Sequence, residues 1–380
     1  MNNFDQNLKK YADVIVQVGL NVQSGQRLTI VPNGMVEETA PLVRAVTRSA
    51  YEAGAVLVDV LWTDPELFRA RVEAASEDSF GETSHWLYQA LLESGERQDA
   101  YLGITAANPT AYAGLDQTKI QTIRKAAARK GEAFSKIRSA MGLNWAGVAA
   151  AGSGWAKHVF PDEPVESAVE KLWELIFAAT RIDQPDPVAA WNTHLEQLAK
   201  QKAFLNEKRF DCLHFKGPGT DLKVGLGPDH VWLGGASQTQ NGITIVPNLP
   251  TEEVFTTPDF RRVSGTVAAS MPLNLSGLII EGMTFRFEEG RIVHFEAEKN
   301  GEALERMLDF DEGARQLGEV ALVPHSSPIS RSGALFYNTL YDENAASHIA
   351  IGRAYAIGVQ GGDQMSTEAL QAAGANHSMI

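Results

Sequence analysis

Residues 28–62 read LTIVPNGMVEETAPLVRAVTRSAYEAGAVLVDVLW, in which two apolar runs flank a helical pattern. The first run, 28–31, stops at Pro32, and apolar residues then recur at helical spacing over 37–53. A second apolar run occupies 56–62, and both runs predict buried strands. Consecutive strand, helix and strand form a βαβ unit, whose two strands are parallel. The stretch therefore predicts an α/β N-terminal domain with a parallel sheet and flanking helices.

The same type of pattern extends on both sides of this unit. Residues 5–19 have the spacing of an amphipathic helix, and 100–104 that of a further short strand. Asp64 directly precedes Pro65, which predicts that Asp64 caps a helix. The chain has 380 residues, so two domains are expected, and DQPDP at 183–187 is the best linker candidate.

The second half of the chain has a different hydrophobic pattern. From Phe210 onward, alternating apolar and polar residues and turn signals dominate, and the turn at 288–291 predicts a hairpin. We therefore expect an α/β domain over 1–187 and, over 188–380, an α+β domain rich in antiparallel strands.

Composition limits the possible partners. The formal net charge is −14, from 47 acidic and 33 basic residues, which argues against nucleic acid or an anionic membrane as the main partner. Cys212 is the only cysteine, so an internal disulfide and a thiolate zinc cluster are excluded, and its alternating context predicts a core position. The sequence shows no signal-peptide pattern and no 18-residue apolar run, so we expect a cytoplasmic protein.

Common site motifs do not occur. The first strand is followed by neither GxGxxG nor a Walker A run, and the chain has no HExxH and no GxSxG. Residues 116–138 carry many lysines and arginines interleaved with apolar residues, which favours a solvated helix face over an anion site. What remains for chemistry is scattered carboxylate and imidazole.

Four positions stand out among these groups. Glu253 follows another glutamate, and on residue type alone this pair is expected at the surface. Glu319 opens an apolar run, where a carboxylate would be partly buried and would need a partner. His348 lies in an otherwise apolar segment, where a core histidine is the commoner interpretation. Tyr355 would share the face of His348 if the segment is helical.

A carboxylate-rich divalent site would unite these residues. Glutamate and histidine ligands without a thiolate suit zinc, cobalt or manganese. Two such ions can activate a water molecule and polarise a scissile carbonyl. A nearby tyrosine hydroxyl could donate a hydrogen bond to the developing oxyanion.

Several segments resemble the aminopeptidase T / aminopeptidase S family of metallopeptidases, and the bacterial aminopeptidase S members most of all. They are YADVIVQVGLNVQSGQRLTI, NLPTEEVFTTPD, GEVALVP and LFYNTLYDENAASHIAIGRAY, and the resemblance spans essentially the whole chain. It implies a cytosolic, metal-dependent exopeptidase that releases N-terminal residues from peptides. It also implies an α/β N-terminal domain, a distinct C-terminal catalytic domain and a homodimer.

Carried over by position, the resemblance implies roles for the same four residues. Glu253 of NLPTEE, Glu319 of GEVAL and His348 of ENAASH would hold two divalent metal ions, with Glu319 also acting in catalysis. Tyr355 of GRAY would be the catalytic hydrogen-bond donor. Family members continue beyond the final NHSMI into a His-x-Asp pair that completes the metal site, so a truncated C-terminal end is expected here.

Two other classes of function stay open at this point. One is a non-catalytic protein that binds a small molecule or a peptide in its α/β half. The other is a structural or chaperone-like dimer, which would expose apolar patches.

Overall fold

The computed structural model describes residues 3–106, 108–275 and 278–380. Within these residues the α-helices are α1 Asn3–Val14, α2 Val36–Glu52, α3 Pro65–Ala74, α4 His85–Glu96, α5 Gln117–Ser139, α6 Ser153–Val159, α7 Val165–Ala179, α8 Pro187–Lys208, α9 Gly301–Leu308, α10 Pro328–Ser332, α11 Thr339–Asp342 and α12 Thr367–Ala372. In this described part, no helix is long and apolar enough to cross a membrane.

The strands of the described residues are short and number more in the second half of the chain. They are β1 Arg27–Asn33, β2 Leu57–Val60, β3 Ala100–Thr105, β4 Trp145–Ala149, β5 Cys212–Gly217, β6 Thr220–Leu226, β7 Ser237–Gln238, β8 Thr244–Ile245, β9 Val254–Thr256, β10 Pro258–Ala268, β11 Leu273–Leu275, β12 Leu278–Ile280, β13 Thr284–Glu288, β14 Arg291–Glu296, β15 Leu317–Leu322 and β16 His348–Ile351.

The chain divides into two compact units. One comprises the chain up to Thr193 together with Ala236–Pro250, and the other comprises His194–Gly235 and Thr251–Ile380. The predicted domain boundary after Pro187 stays a prediction. The return of Ala236–Pro250 to the first unit has no counterpart in the sequence patterns.

The first unit contains the predicted parallel sheet. Its strand order is β2-β1-β3-β4, all three neighbouring pairs are parallel, and helices connect the strands. Leu28 and Ile30 of β1 are fully buried, as the apolar run predicts. β2 differs from the prediction, because no residue in it is buried. The reason is its place at the edge of the sheet, where it has a single neighbouring strand.

Two local predictions in this unit are confirmed. The Asp64 carboxylate accepts a hydrogen bond from the backbone N–H of Glu66 at 2.9 Å and caps α3. On α5, Lys119 and Lys136 pair with Glu77 and Glu132 at N···O distances of 3.0 and 2.7 Å. Lys136 and Glu132 are exposed and Lys119 is half-buried beside the exposed Glu77, in keeping with a solvated helix face.

The second unit is built on antiparallel sheets, also as predicted. Five strands pair in the order β14-β13-β10-β6-β5, and three more in the order β16-β15-β9. β13 and β14 form the predicted hairpin around the turn at 288–291. Cys212 contradicts its predicted core position, since it is exposed at the start of the edge strand β5.

The segment that precedes and follows His348 does not meet the condition under which Tyr355 would share a helix face with His348. A helical segment would place Tyr355 on the face of His348, but the chain forms α11, a short 3₁₀ turn at Glu343–Ala345 and then strand β16. β16 pairs with β15, which supplies its backbone hydrogen bonds. Long-range pairing therefore determines the local structure here, and no helix face joins His348 to Tyr355.

Asp342 holds together the loop before this strand. Its two carboxylate oxygens accept hydrogen bonds from the backbone N–H groups of Phe336 at 2.8 Å and Asn338 at 2.9 Å. Burial raises the pKa of Asp342 from 3.8 to about 6, although both hydrogen bonds oppose that shift. The folded protein therefore binds a proton at Asp342 more tightly than the unfolded chain does.

This raised pKa predicts a specific pH dependence of stability. The stabilisation from the bound proton is complete below 3.8, the ordinary pKa of an aspartate, and is lost as the pH rises through about 6. Asp342→Asn places a permanently neutral group there, at a pH-independent cost in hydrogen bonding. Relative to this variant, we expect the unfolding free energy of the unaltered protein to fall by on the order of 1–3 kcal/mol between about pH 4 and pH 7. Urea unfolding of both proteins in chelator measures the difference, and a pH-independent difference would contradict the assignment.

Candidate metal centre

Three neighbouring strands bring three polar side chains together. Glu319 lies in β15, the middle strand of the order β16-β15-β9, where Val320 and Ala321 are fully buried. His348 is the first residue of β16, and Glu253 directly precedes β9. Because Ala321 pairs with His348, Glu319 lies diagonally across from it, within reach of long side chains.

The ligand-type atoms of these residues form a compact group. One such atom from each of Glu253, Glu319 and His348 lies within 4.8 Å of the other two. His348 Nε2 is 3.2 Å from Glu253 Oε2 and 3.7 Å from Glu319 Oε1. The side chains of His348, Glu253 and Glu319 are 22%, 12% and 15% exposed. This partial burial strengthens the interactions among the three groups.

The electrostatics of the group are those of a site with excess negative charge. Burial raises the pKa of Glu319, while its hydrogen bond to His348 opposes the increase. Burial alone would lower the pKa of His348, but hydrogen bonds to Glu253 and Glu319 outweigh it and raise the pKa to about 11. Without a metal, a proton on the imidazole therefore balances part of the carboxylate charge.

The residues present fit a divalent metal ion. Glu253 Oε2 is buried and faces His348 Nε2 at 3.2 Å, so it is an acceptor that a cation could engage in place of the imidazole proton. The carbonyl of Ala346 lies 3.0 Å from His348 Nδ1. Because a carbonyl only accepts, Nδ1 carries a proton, so the ring would present an unprotonated Nε2 to a metal ion that displaces the Nε2 proton. Carboxylate oxygens with one imidazole nitrogen suit zinc, cobalt or manganese.

Sequence reasoning left two neighbouring carboxyl groups outside the site. Burial, followed by the charge of Glu253, raises the pKa of Glu343 to about 8, so this carboxyl shares the electrostatic environment of the site. Glu343 lies in the polar run before His348, and that position is the signal in the sequence from which it could have been found. Glu252 was expected at the surface with Glu253, but it is only 2% exposed. The expectation failed because Glu252 and Glu253 lie against β15 and the turn at Asn344, contacts formed by residues distant in sequence.

Tyr355 follows β16 and lies outside the three-residue group. It precedes a short 3₁₀ turn, its side chain is 57% exposed, and its ring centroid is 6.0 Å from that of Phe255. Phe255 is two residues beyond Glu253. The structure therefore brings Tyr355 into aromatic contact with β9, the strand that directly follows Glu253.

Comparison with known proteins gives a consistent result. Aminopeptidase T from Thermus thermophilus is 45% identical over 380 residues, which are 100% of this chain and 92% of the relative. Aminopeptidase AmpS from Bacillus subtilis is 41% identical over 379 residues, again 100% of this chain and 92% of the relative. The solved structure of wild-type AmpT from Thermus thermophilus superposes with a TM-score of 0.92 at 44% identity, covering 99% of this chain and 91% of that one.

These matches confirm the predicted family and the predicted fold class. A family model described as "Thermophilic metalloprotease (M29)" matches residues 4–380. Whole-chain coverage at this level of identity excludes a resemblance limited to a few motifs. The chain therefore belongs to the M29 family of metalloproteases.

Proposed function

We propose that this chain is a metal-dependent aminopeptidase that releases N-terminal amino acids from peptides and holds its divalent metal with Glu253, Glu319 and His348. The observation that carries the proposal is the convergence of these side chains, with ligand atoms within 4.8 Å of one another, in a member of a metalloprotease family. The relatives are themselves named aminopeptidases, which supports peptides as substrates. A non-catalytic binding protein has no support among them.

The metal would supply the chemistry that the side chains lack. A bound divalent ion lowers the pKa of water toward about 7 and polarises a peptide carbonyl. The chain contributes the remaining functions. Glu319, whose pKa burial raises, accepts a proton from the attacking water, and Tyr355 donates a hydrogen bond to the oxyanion that develops on the carbonyl.

The release of N-terminal residues requires that the site recognise a free N-terminus. Glu253 and Glu319 together carry two negative charges, which one bound divalent ion balances. A preference for a free over an acylated N-terminus would therefore come from other acidic groups or from the metal. This preference is the property that distinguishes an aminopeptidase from an endopeptidase.

The finer assignments rest on the family resemblance. They are the choice of zinc, cobalt or manganese, the use of two ions, a cytoplasmic location, and a catalytic domain over 188–380. The three-residue group would supply ligands to one ion, and the family resemblance implies a second. Metal analysis of the purified protein by mass spectrometry tests the stoichiometry, and a single ion per active chain would contradict the two-ion assignment.

Removing a carboxylate from the group should abolish activity. We expect Glu319→Gln to lower the rate of hydrolysis of aminoacyl-nitroanilides by at least about 100-fold. Substituting a residue that only hydrogen-bonds to a metal ligand typically lowers activity about 10–100-fold, and loss of the ligand itself should lower it further. The activity of the unaltered protein should disappear in chelator and return with zinc, cobalt or manganese. Glu281→Gln is the matched control, because Glu281 is an exposed glutamate that pairs with Lys299 at 2.8 Å. Undiminished turnover by Glu319→Gln would refute the assignment.

Tyr355→Phe tests the hydrogen-bond donor separately. We expect kcat to fall about 100-fold, with KM and metal affinity nearly unchanged, because the hydroxyl acts only when the oxyanion forms. The phenyl ring retains the packing against Phe255. Steady-state kinetics with a nitroanilide measure both constants, and an unchanged kcat would remove Tyr355 from the mechanism.

The homodimer is a further proposal, supported by the family resemblance. One chain has a mass of 41.3 kDa, so light scattering should report about twice that value. A mass equal to that of a single chain at micromolar concentration would contradict the proposal.

A further inference from the structure

Glu253 follows a segment that has no regular backbone hydrogen bonding. Thr251 and Glu252 lie outside any strand, in the residues immediately before β9. Both are nevertheless buried, at 6% and 2% exposure. Buried backbone groups outside secondary structure need partners from elsewhere, because leaving them unpaired costs the full desolvation penalty of the group.

Two side chains supply those partners at a single peptide unit. His194 Nε2 lies 2.8 Å from the carbonyl oxygen of Thr251, and the backbone N–H of Glu252 donates to Asn344 Oδ1 at 2.7 Å. The Thr251 carbonyl and the Glu252 N–H belong to the same planar peptide group. Because a carbonyl only accepts, His194 Nε2 is the donor. This peptide unit is therefore hydrogen-bonded at both ends.

Asn344 is itself held in place. It is 1% exposed, and its side-chain Nδ2 donates to the Leu340 carbonyl at 3.0 Å. The backbone carbonyl of Asn344 accepts a hydrogen bond from Ser327 Oγ at 2.7 Å. His194 is likewise 8% exposed, on helix α8. Both side chains are thus fixed by packing or hydrogen bonds, which allows them to fix the peptide in turn.

We infer that His194 and Asn344 are positioning residues that orient the Thr251–Glu252 peptide and thereby aim Glu253 at the metal. The inference rests on the proposed role of Glu253 as a ligand. This peptide ends at the Cα of Glu252, so loss of its two hydrogen bonds would let the chain that leads directly into Glu253 shift, and metal–ligand distances in a good site stay within about 0.2 Å of their usual values. Neither residue is proposed to touch the metal or the substrate.

The test is a titration of the metal-free protein with Co²⁺ alone, followed by the visible absorption of the bound ion. We expect Asn344→Ala and His194→Ala to raise the Kd for Co²⁺ by about 10–100-fold, the usual effect of losing an outer-shell contact. His194→Gln should restore the Kd to within about threefold of the unaltered protein, because a side-chain amide N–H can also donate to the Thr251 carbonyl.

Asn144→Ala is the matched control for a general loss of stability. Asn144 is 0% exposed, donates to the Leu20 carbonyl at 2.9 Å and belongs to the other compact unit. We expect Asn144→Ala to lower the urea midpoint by about as much as Asn344→Ala and His194→Ala do, while leaving the Kd for Co²⁺ unchanged.

The outcomes separate this inference from the proposed function. If the unaltered protein does not bind Co²⁺, the proposed metal site fails. If it binds, and the His194 and Asn344 variants bind equally well, the positioning role is wrong. Equal weakening by Asn144→Ala, or a His194→Gln variant as weak as His194→Ala, would also overturn it. Should Asn344→Ala not fold, the two His194 variants decide the question.

Discussion

The burial of two carboxylates beside one imidazole is the constraint on which the rest of the second unit depends. Glu253 and Glu319 are each less than one-sixth exposed, so their repulsion is weakly screened. A charged group in such a place is tolerated only when a cation or hydrogen-bond donors compensate it. His348 provides that compensation as an imidazolium when no metal is present, and a divalent ion would provide it more completely. The proton on the His348 imidazole and a metal ion therefore compete for the space between the three side chains.

The backbone must hold Glu253 and Glu319 in place, because the repulsion between their carboxylates would otherwise move the two side chains apart. Strand pairing supplies the support for Glu319 and His348, whose strands β15 and β16 share a ladder of hydrogen bonds. Glu253 precedes its strand and lacks a ladder of its own. Side chains from α8 and from the turn after α11 hold the preceding peptide instead. Asp342 stabilises the loop leading into that turn.

The sequence alone predicts the first unit better than the site. Hydrophobic periodicity between residues 28 and 62 is local, so it identifies the strands of the parallel sheet correctly. It is wrong only about the burial of β2, whose edge position depends on the remaining strands. The candidate site depends on residues at 253, 319 and 348, which pairing of β9, β15 and β16 brings together. No spacing rule reveals that pairing. Residue type alone therefore favoured the surface for Glu253 and a core role for His348, and the family resemblance carried the assignment. The exposure of Cys212 and the strand at His348 lie beyond local patterns for the same reason, because neighbours distant in sequence decide exposure and local structure.

A crystal of the protein soaked in Mn²⁺ or Co²⁺, with anomalous diffraction recorded at the metal absorption edge, would test the central claim most directly. We expect an anomalous peak bonded to carboxylate oxygens of Glu253 and Glu319 and to Nε2 of His348, with metal–ligand distances of about 2.0–2.3 Å. A protein that is active in the same metal, but whose anomalous peak lies away from these three side chains, would contradict it.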